Sequence, residues 1–227
     1  MLPFDLDLIS DCYEVYQRGS ARNGVYKIFL PGLKYYVDVY CDMKNGGWTL
    51  IQKRSSGDVD FFKDWKAYKE GFGVNTGEHY LGNDFIHFLT NQGHYSLHVE
   101  LVNWKKEKRQ AMYKDFWIDE EDDGYKLHIE GYDGDAGDGL SKHNEMKFST
   151  HDVDNDQVIK QFGGSCAKRF HGAGWYYKCY SSNLNGQYYE DGVVPPKKFD
   201  GVAWKPWTGP NYSLKEVVLK VRPKDVL

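Results

Sequence analysis

Residues 147–186 read KFSTHDVDNDQVIKQFGGSCAKRFHGAGWYYKCYSSNLNG. Asp152, Asp154 and Asp156 alternate within this stretch, the pair Cys166 and Cys179 follows, and it closes on Ser182-Asn183-Leu184-Asn185-Gly186. Carboxylates at alternate loop positions suit a hard cation, whose shell is built of oxygens from side chains, backbone carbonyls and water. An EF-hand would need Gly at its sixth position and Glu at its twelfth. Gln157 and Gly163 stand there, so that loop is excluded and a different calcium loop is the reading to test. Its bland rival is an acidic surface turn, because Asp and Asn favour turns without any ligand. The combination points to an extracellular recognition domain supported by calcium, and away from an enzyme.

Working outward, the chain has 227 residues, enough for one large domain with a substantial core. Aromatics make up 16 %, with 18 Tyr and 7 Trp, residues that serve cores and binding surfaces alike. Net charge is −4 with both signs interspersed, so no basic field exists to hold a nucleic-acid backbone. The densest basic run is Lys105-Lys106-Glu107-Lys108-Arg109, which reads first as a solvated turn and second as a heparin-type site. No apolar stretch is long enough to span a membrane. The opening Met1-Leu2-Pro3-Phe4-Asp5 lacks the basic and apolar regions of a signal peptide, so secretion implies a leader already removed. A sequon stands at Asn211-Tyr212-Ser213.

Four cysteines, Cys12, Cys41, Cys166 and Cys179, fit two disulfides formed in an oxidising compartment. Three connectivities are open, of which the sequential pairing is favoured. Each closure contributes about 3–4 kcal/mol in the chain-entropy model. Zinc is disfavoured because no C-x2-C or paired Cys/His spacing occurs.

Alternating or β-rich runs predict strands over 35–41, 48–53, 95–102, 111–118, 125–131 and 217–221. The last is too apolar for a tail and should pair back into the main sheet. Short helices are predicted over 64–70, ended by Gly71, and over 84–89, with Asn83 as cap and Gly93 beyond the end. From about 132 to 207 the periodicity fades and Gly, Asp, Asn and Tyr dominate, as in loops that carry function. Catalytic signatures are missing: no G-x-S-x-G, P-loop, H-E-x-x-H or dinucleotide fingerprint. The eight histidines (His79, His87, His94, His98, His128, His143, His151, His171) show no metal-site spacing. No enzyme is expected.

Asp11-Cys12, Asn23-Gly24-Val25-Tyr26, Val39-Tyr40-Cys41-Asp42-Met43, Gly46-Gly47-Trp48-Thr49, Gly71-Phe72-Gly73, Tyr80-Leu81-Gly82-Asn83, Ala136-Gly137-Asp138, Phe148-Ser149-Thr150, Asn183-Leu184-Asn185-Gly186, Tyr212-Ser213-Leu214-Lys215 and Val221-Arg222-Pro223 occur in one order along nearly the whole chain. In this the sequence resembles the fibrinogen-related domains of fibrinogen, ficolins, tachylectins, tenascins, angiopoietins and microfibril-associated glycoproteins. The resemblance implies a single α+β domain over 1–227, with 1–11 as an N-terminal extension. It implies a central, mainly antiparallel sheet with short helices, and a loop-rich calcium- and ligand-binding subdomain over about 132–207. It also implies disulfides Cys12–Cys41 and Cys166–Cys179, and calcium at Asp154 and Asp156 with Asp152 nearby. Family members place fewer residues between the last aspartate and the next cysteine than this chain does. If the loop keeps register at its start, the carbonyl ligands are those of Val158 and Lys160. An earlier insertion shifts them toward residues 162–164.

In lectin members an acetyl group binds in an aromatic pocket beside the second disulfide, often at a cis peptide before the second cysteine. By resemblance that bond is Lys178–Cys179, and the pocket residues are Phe170, Lys178, Cys179, Tyr180, Lys198, Phe199 and Pro210. Tyr180, Lys198 and Pro210 depart from the acetyl-binding pattern. A lysine in an aromatic wall favours an anionic ligand, and Lys198 with Pro210 is closer to the angiopoietin pattern, in which the loops meet a protein receptor. The expectation is a secreted calcium-dependent lectin for N-acetylated or anionic glycans in innate defence, with an oligomer at full length left open. The alternative is a module that binds a cell-surface or matrix protein through the same loops.

Overall fold

A computed structural model describes residues 8–158 and 164–224. Among the described residues eleven strands lie in chain order: β1 (Gly24–Leu30), β2 (Tyr35–Asp42), β3 (Trp48–Arg54), β4 (Phe72–Gly73), β5 (His79–Tyr80), β6 (Tyr95–Val102), β7 (Lys108–Ile118), β8 (Leu127–Gly134), β9 (Ser182–Asn183), β10 (Ala203–Trp204) and β11 (Glu216–Pro223). The main sheet runs β1-β2-β3-β11-β6-β7-β8, with β5 and then β4 branching from β3, and every strand pair is antiparallel. The C-terminal strand β11 is therefore central, paired with β3 on one side and β6 on the other, as its apolar run predicted. Leu97, Val99 and Leu101 of β6 alternate inward onto Ala111, Tyr113, Val217 and Leu219.

Short helices pack against this sheet. Helix α1 (Cys12–Gln17) is capped by Asp11, whose carboxylate accepts the Glu14 N–H, and neither α1 nor β1 was read from the sequence. Helix α2 (Trp65–Glu70) is capped by Asp64 and stops at Gly71, where φ is 87° and a side chain would strike the Leu81 carbonyl. Helix α3 (Asn83–Thr90) corrects the expected cap. Gly82 holds the capping position, while the Asn83 side chain points inward and accepts the Tyr80 hydroxyl at 2.6 Å. The C-terminal end comes at Asn91, two residues before Gly93.

The disulfides take the sequential pairing, Cys12–Cys41 and Cys166–Cys179. The first ties α1 to β2 at the sheet. The second closes the loop that begins at α4 (Cys166–Arg169). Between β8 and β11 the regular structure among the described residues is sparse: α4, the two-residue ladder of β9 with β10, α5 (Lys205–Thr208) and short 3-10 turns. Among the described residues no helix is long and apolar enough to cross a membrane.

Candidate functional site

The acidic loop is stitched to the second disulfide by its own backbone. Thr150 N–H reaches the Val153 carbonyl at 2.9 Å, Ser149 and Gly174 exchange bonds at 2.9 and 3.0 Å, and Gln157 N–H meets the Tyr177 carbonyl at 3.2 Å. Asn155 donates its side-chain amide to the Phe148 carbonyl at 2.8 Å, so this member of the run fixes the loop from inside. Asp152 is committed elsewhere. Its carboxylate accepts the Trp65 N–H at 3.0 Å and the Thr150 hydroxyl at 2.7 Å. Burial pushes the Asp152 carboxyl up, but these donors outweigh it and hold the group below its ordinary range.

Asp154 and Asp156 stand together. Asp156 accepts the Val158 N–H at 2.7 Å on one oxygen and the Cys166 N–H at 2.6 Å on the other. Its carboxyl is raised, first by burial and then by the Asp154 carboxylate beside it, against the pull of those two N–H groups. Two adjoining carboxylates disfavour each other's charge unless a cation is shared. Among the described residues no three His, Cys, Asp or Glu groups converge. That excludes a zinc-type donor set among them, while two carboxylates completed by carbonyls and water fit calcium. Val158 follows directly, its side chain packed with Cys166, Ala167 and Tyr176. Lys160, the other expected carbonyl ligand, and residues 162 and 163 lie outside the described residues.

On the far side of the disulfide a cavity of about 180 Å³ is lined by Lys142, His143, Tyr177, Lys178, Cys179, Tyr180 and Ser181. The Lys178–Cys179 peptide is cis. Lys178 places its ammonium 5.2 Å from the Tyr177 ring centroid, and Lys205 sits 5.3 Å from that of Tyr180. Tyr180 meets Phe170 edge-on at 5.0 Å. Burial pushes the Tyr180 phenol up to about 12, with Asp200 adding to it, so the hydroxyl stays protonated and donates to the Phe199 carbonyl at 2.5 Å. The structure thus brings together Phe170, Lys178, Cys179, Tyr180 and Phe199. Of the expected pocket residues Lys178, Cys179 and Tyr180 line this cavity; Phe170 and Phe199 contact Tyr180 outside the lining, and Lys198 and Pro210 are not among the lining residues.

Lys142, His143, Ser181 and Lys205 belong to the site without having been assigned to it from the sequence. His143 is the keystone. It is buried, its Nδ1 bonds the Trp175 carbonyl at 2.5 Å, and its Nε2 accepts the Ser181 N–H at 2.9 Å. That pattern assigns the neutral Nδ1–H tautomer. Burial holds the imidazole below its ordinary value of 6.5, against the Trp175 carbonyl, which favours the charged ring. His79 and His98 are shifted down by burial as well.

A histidine held below its unfolded pKa stabilises the fold fully above that value. The contribution is lost as pH falls through about 6.5 toward the lower folded pKa. The thermal midpoint is therefore expected to drop as pH is taken from about 7.5 to about 5.5. The drop should be smaller in His143→Gln. An unchanged slope in that variant would assign the effect to the other histidines.

Residues 8–224 match the family model for the C-terminal globular domain of fibrinogen beta and gamma chains. The chain is 43% identical over 221 residues to fibrinogen C domain-containing protein 1 of Xenopus tropicalis, covering 94% of this chain and 47% of the relative. It is 42% identical over 233 residues to fibrinogen-like protein 1 of Bos taurus, covering 96% and 73%. The first of these relatives is about twice the length that this chain spans. In three dimensions it matches the fibrinogen-like globe domain of human ANGPTL2 with a TM-score of 0.91 at 39% identity, covering 95% of this chain and 99% of that one. It also matches lamprey fibrin D-dimer complexed with the peptide ligand Gly-His-Arg-Pro-amide, with a TM-score of 0.89 at 36% identity over 96% and 75% of the two chains. With its two disulfides, its antiparallel sheet and its loop-built site, the chain belongs to the fibrinogen C-terminal domain family.

Proposed function

We propose that this domain is an extracellular recognition module whose cavity at Lys178–Ser181 binds the anionic or N-acetylated end of a glycan. One observation carries the reading. A concavity of about 180 Å³ beside the second disulfide combines tyrosine walls with the ammonium groups of Lys142 and Lys178. Aromatic faces suit the apolar side of a sugar or an acetyl methyl, and the lysines suit a carboxylate or sulfate. Two disulfides support the extracellular part of this reading, since they form in oxidising compartments. Calcium would be held by Asp154 and Asp156 with the carbonyls of Val158 and Lys160. Its part is to neutralise the carboxylate pair and lock the loop behind the disulfide.

The test is calorimetric titration with N-acetylglucosamine and with sialic acid, in calcium and in chelator. A single small site should hold a monosaccharide weakly, with Kd about 1 mM. Tyr180→Ala should abolish the heat for both sugars. Lys178→Gln should weaken sialic acid about threefold while sparing N-acetylglucosamine, since Lys178 is exposed and an exposed ammonium–carboxylate pair is worth up to about 1 kcal/mol. Silence for both sugars, in a domain that calcium still stabilises, would reject the glycan reading.

A second reading has its own support. Tyr177, in the cavity wall, is 39% exposed, and Val193, on the segment that bridges to Tyr212, is 71% exposed. The lamprey fibrin relative carries a peptide ligand. A protein partner that binds these loops and ignores sugars would favour that reading.

A further inference from the structure

The hairpin that joins β6 to β7 carries a concentration of positive charge that the pocket at Lys178–Ser181 does not use. Residues 105–109 hold Lys105, Lys106, Lys108 and Arg109 against the single carboxylate of Glu107, in a chain whose net charge is −4. All five are exposed. The turn is closed by its own bonds: Asn103 N–H to the Glu107 carbonyl at 3.1 Å and Lys106 N–H to the Asn103 carbonyl at 3.0 Å. Glu107 is folded back on Asn103, taking the Asn103 amide at 2.5 Å and giving its own N–H to Asn103 Oδ1 at 2.9 Å. Its carboxylate is thereby engaged by Asn103. Among the described residues Lys105, Lys106 and Lys108 have no ion-pair partner, whereas Arg109 is held by Asp135 at 3.4 Å.

The tip is also anchored. Trp104 donates its backbone N–H to the Tyr212 hydroxyl at 2.8 Å and its indole N–H to the Ser213 carbonyl at 3.1 Å. Lys215 lays its ammonium 5.7 Å from the Trp104 ring centroid and adds a further cation from β11's approach to the sheet. Lysines on a braced turn lose less conformational freedom on binding than lysines on a loose loop. Exposed cations so grouped attract a polyanion and release its counterions on contact.

We propose that this hairpin tip, through Lys105, Lys106, Lys108 and Lys215, binds a sulfated glycosaminoglycan chain. The glycan is favoured over nucleic acid because the tip offers no open aromatic platform for bases: Trp104 is half-buried and covered by Lys215. The disulfides moreover suit an oxidising setting such as the extracellular space, where sulfated glycans occur. The neighbouring concavity of about 400 Å³ is lined by Glu100, Asp135 and Glu216 as well as Lys108 and Arg109. Its carboxylates outnumber its cations three to two, so the chain runs over the tip and stays out of that hollow.

The experiment is surface plasmon resonance of the intact domain on an immobilised heparan sulfate octasaccharide, at several salt concentrations. Wild type should bind at about 0.15 M NaCl, with affinity falling steeply as salt rises. The triple variant Lys105→Gln, Lys106→Gln, Lys108→Gln should lose about tenfold or more in affinity and show a flatter salt dependence. Replacing the same three lysines by arginine should preserve binding, and Lys27→Gln, at an exposed lysine of the outer strand β1, should leave it unchanged. No binding by wild type at about 0.15 M NaCl, or equal binding by wild type and the glutamine variant, overturns the proposal. So does a charge-matched DNA oligonucleotide that binds as tightly as the octasaccharide.

Discussion

Arg54→Met is expected to destabilise the domain by about 3–5 kcal/mol, the usual consequence of removing one partner from a buried ion pair. Arg54 is 2% exposed at the end of β3, with its guanidinium 3.9 Å from the Phe61 ring centroid. It donates to the Leu184 carbonyl at 3.2 Å and the Gly186 carbonyl at 3.0 Å, so it fastens the Ser-Asn-Leu-Asn-Gly loop to the sheet. Glu78 stands 3.8 Å from its Nε. Burial pushes the Glu78 carboxyl up, but the backbone N–H groups of Val59, Ser55, Gly57 and Ser56 outweigh this and keep it ionised. Methionine would fill the space but leave the Gly186 carbonyl without its donor, the Leu184 carbonyl with the Gln52 amide alone, and the buried Glu78 carboxylate without its counter-ion.

Arg54→Lys keeps the charge but cannot span both carbonyls from one planar fork, so its loss should be intermediate. Urea unfolding with the disulfides intact measures both variants. A cost under about 1 kcal/mol for Arg54→Met would show that water replaces the guanidinium. Because Leu184 and Gly186 follow the β9 segment beside the pocket, the same variant should also weaken any ligand held at Lys178–Ser181.

What could be read in advance follows from the range of the forces involved. β6 was legible because its burial alternates strictly from Tyr95 to Val102, a period-2 signal carried by the residues themselves. β11 was legible because its valines are sandwiched between two strands. β1 was not, since as the outer strand it leaves Val25 44% exposed and its alternation is blurred. Lys220 is the clearest local failure. A lysine inside Val217–Val221 reads as a solvent-facing position, yet it is 1% exposed, because Asp42 at 2.8 Å and Glu100 at 2.6 Å come to it from other strands.

The site divides in the same way. Asp154, Asp156, Cys166, Cys179 and Tyr180 lie close together in sequence and were named from it. Lys142 and His143 reach the pocket only because His143 Nε2 receives the Ser181 N–H across a gap in sequence that no local pattern reports. Asp152 matched the alternating acidic pattern and yet serves the fold, holding the first turn of α2.

Trp204→Ala is expected to cost about 3–5 kcal/mol, the range for emptying a buried aromatic site. Trp204 is fully buried in β10, and its indole N–H is shared between the Ala136 carbonyl at 3.1 Å and the Gly137 carbonyl at 2.9 Å. Gly139 lies flat on its ring, where any Cβ would come within 2.6 Å. The indole is thus a rivet between the loop after β8 and the two-residue ladder that pairs Trp204 with Ser182.

That ladder is too short to stand alone, since an isolated pair of strands is marginal in water. Without the indole, β9 loses its backing, and Ser181 and Ser182 lose the position in which they face His143. Stability and ligand binding should therefore fall together in Trp204→Ala. Trp204→Phe should restore much of the packing while still lacking the N–H donor. If Trp204→Ala unfolds at the wild-type urea concentration, the sheet alone sets global stability and the binding loops form a separate cooperative unit. Loss of binding at unchanged midpoint would then locate the indole's role in holding the pocket's shape.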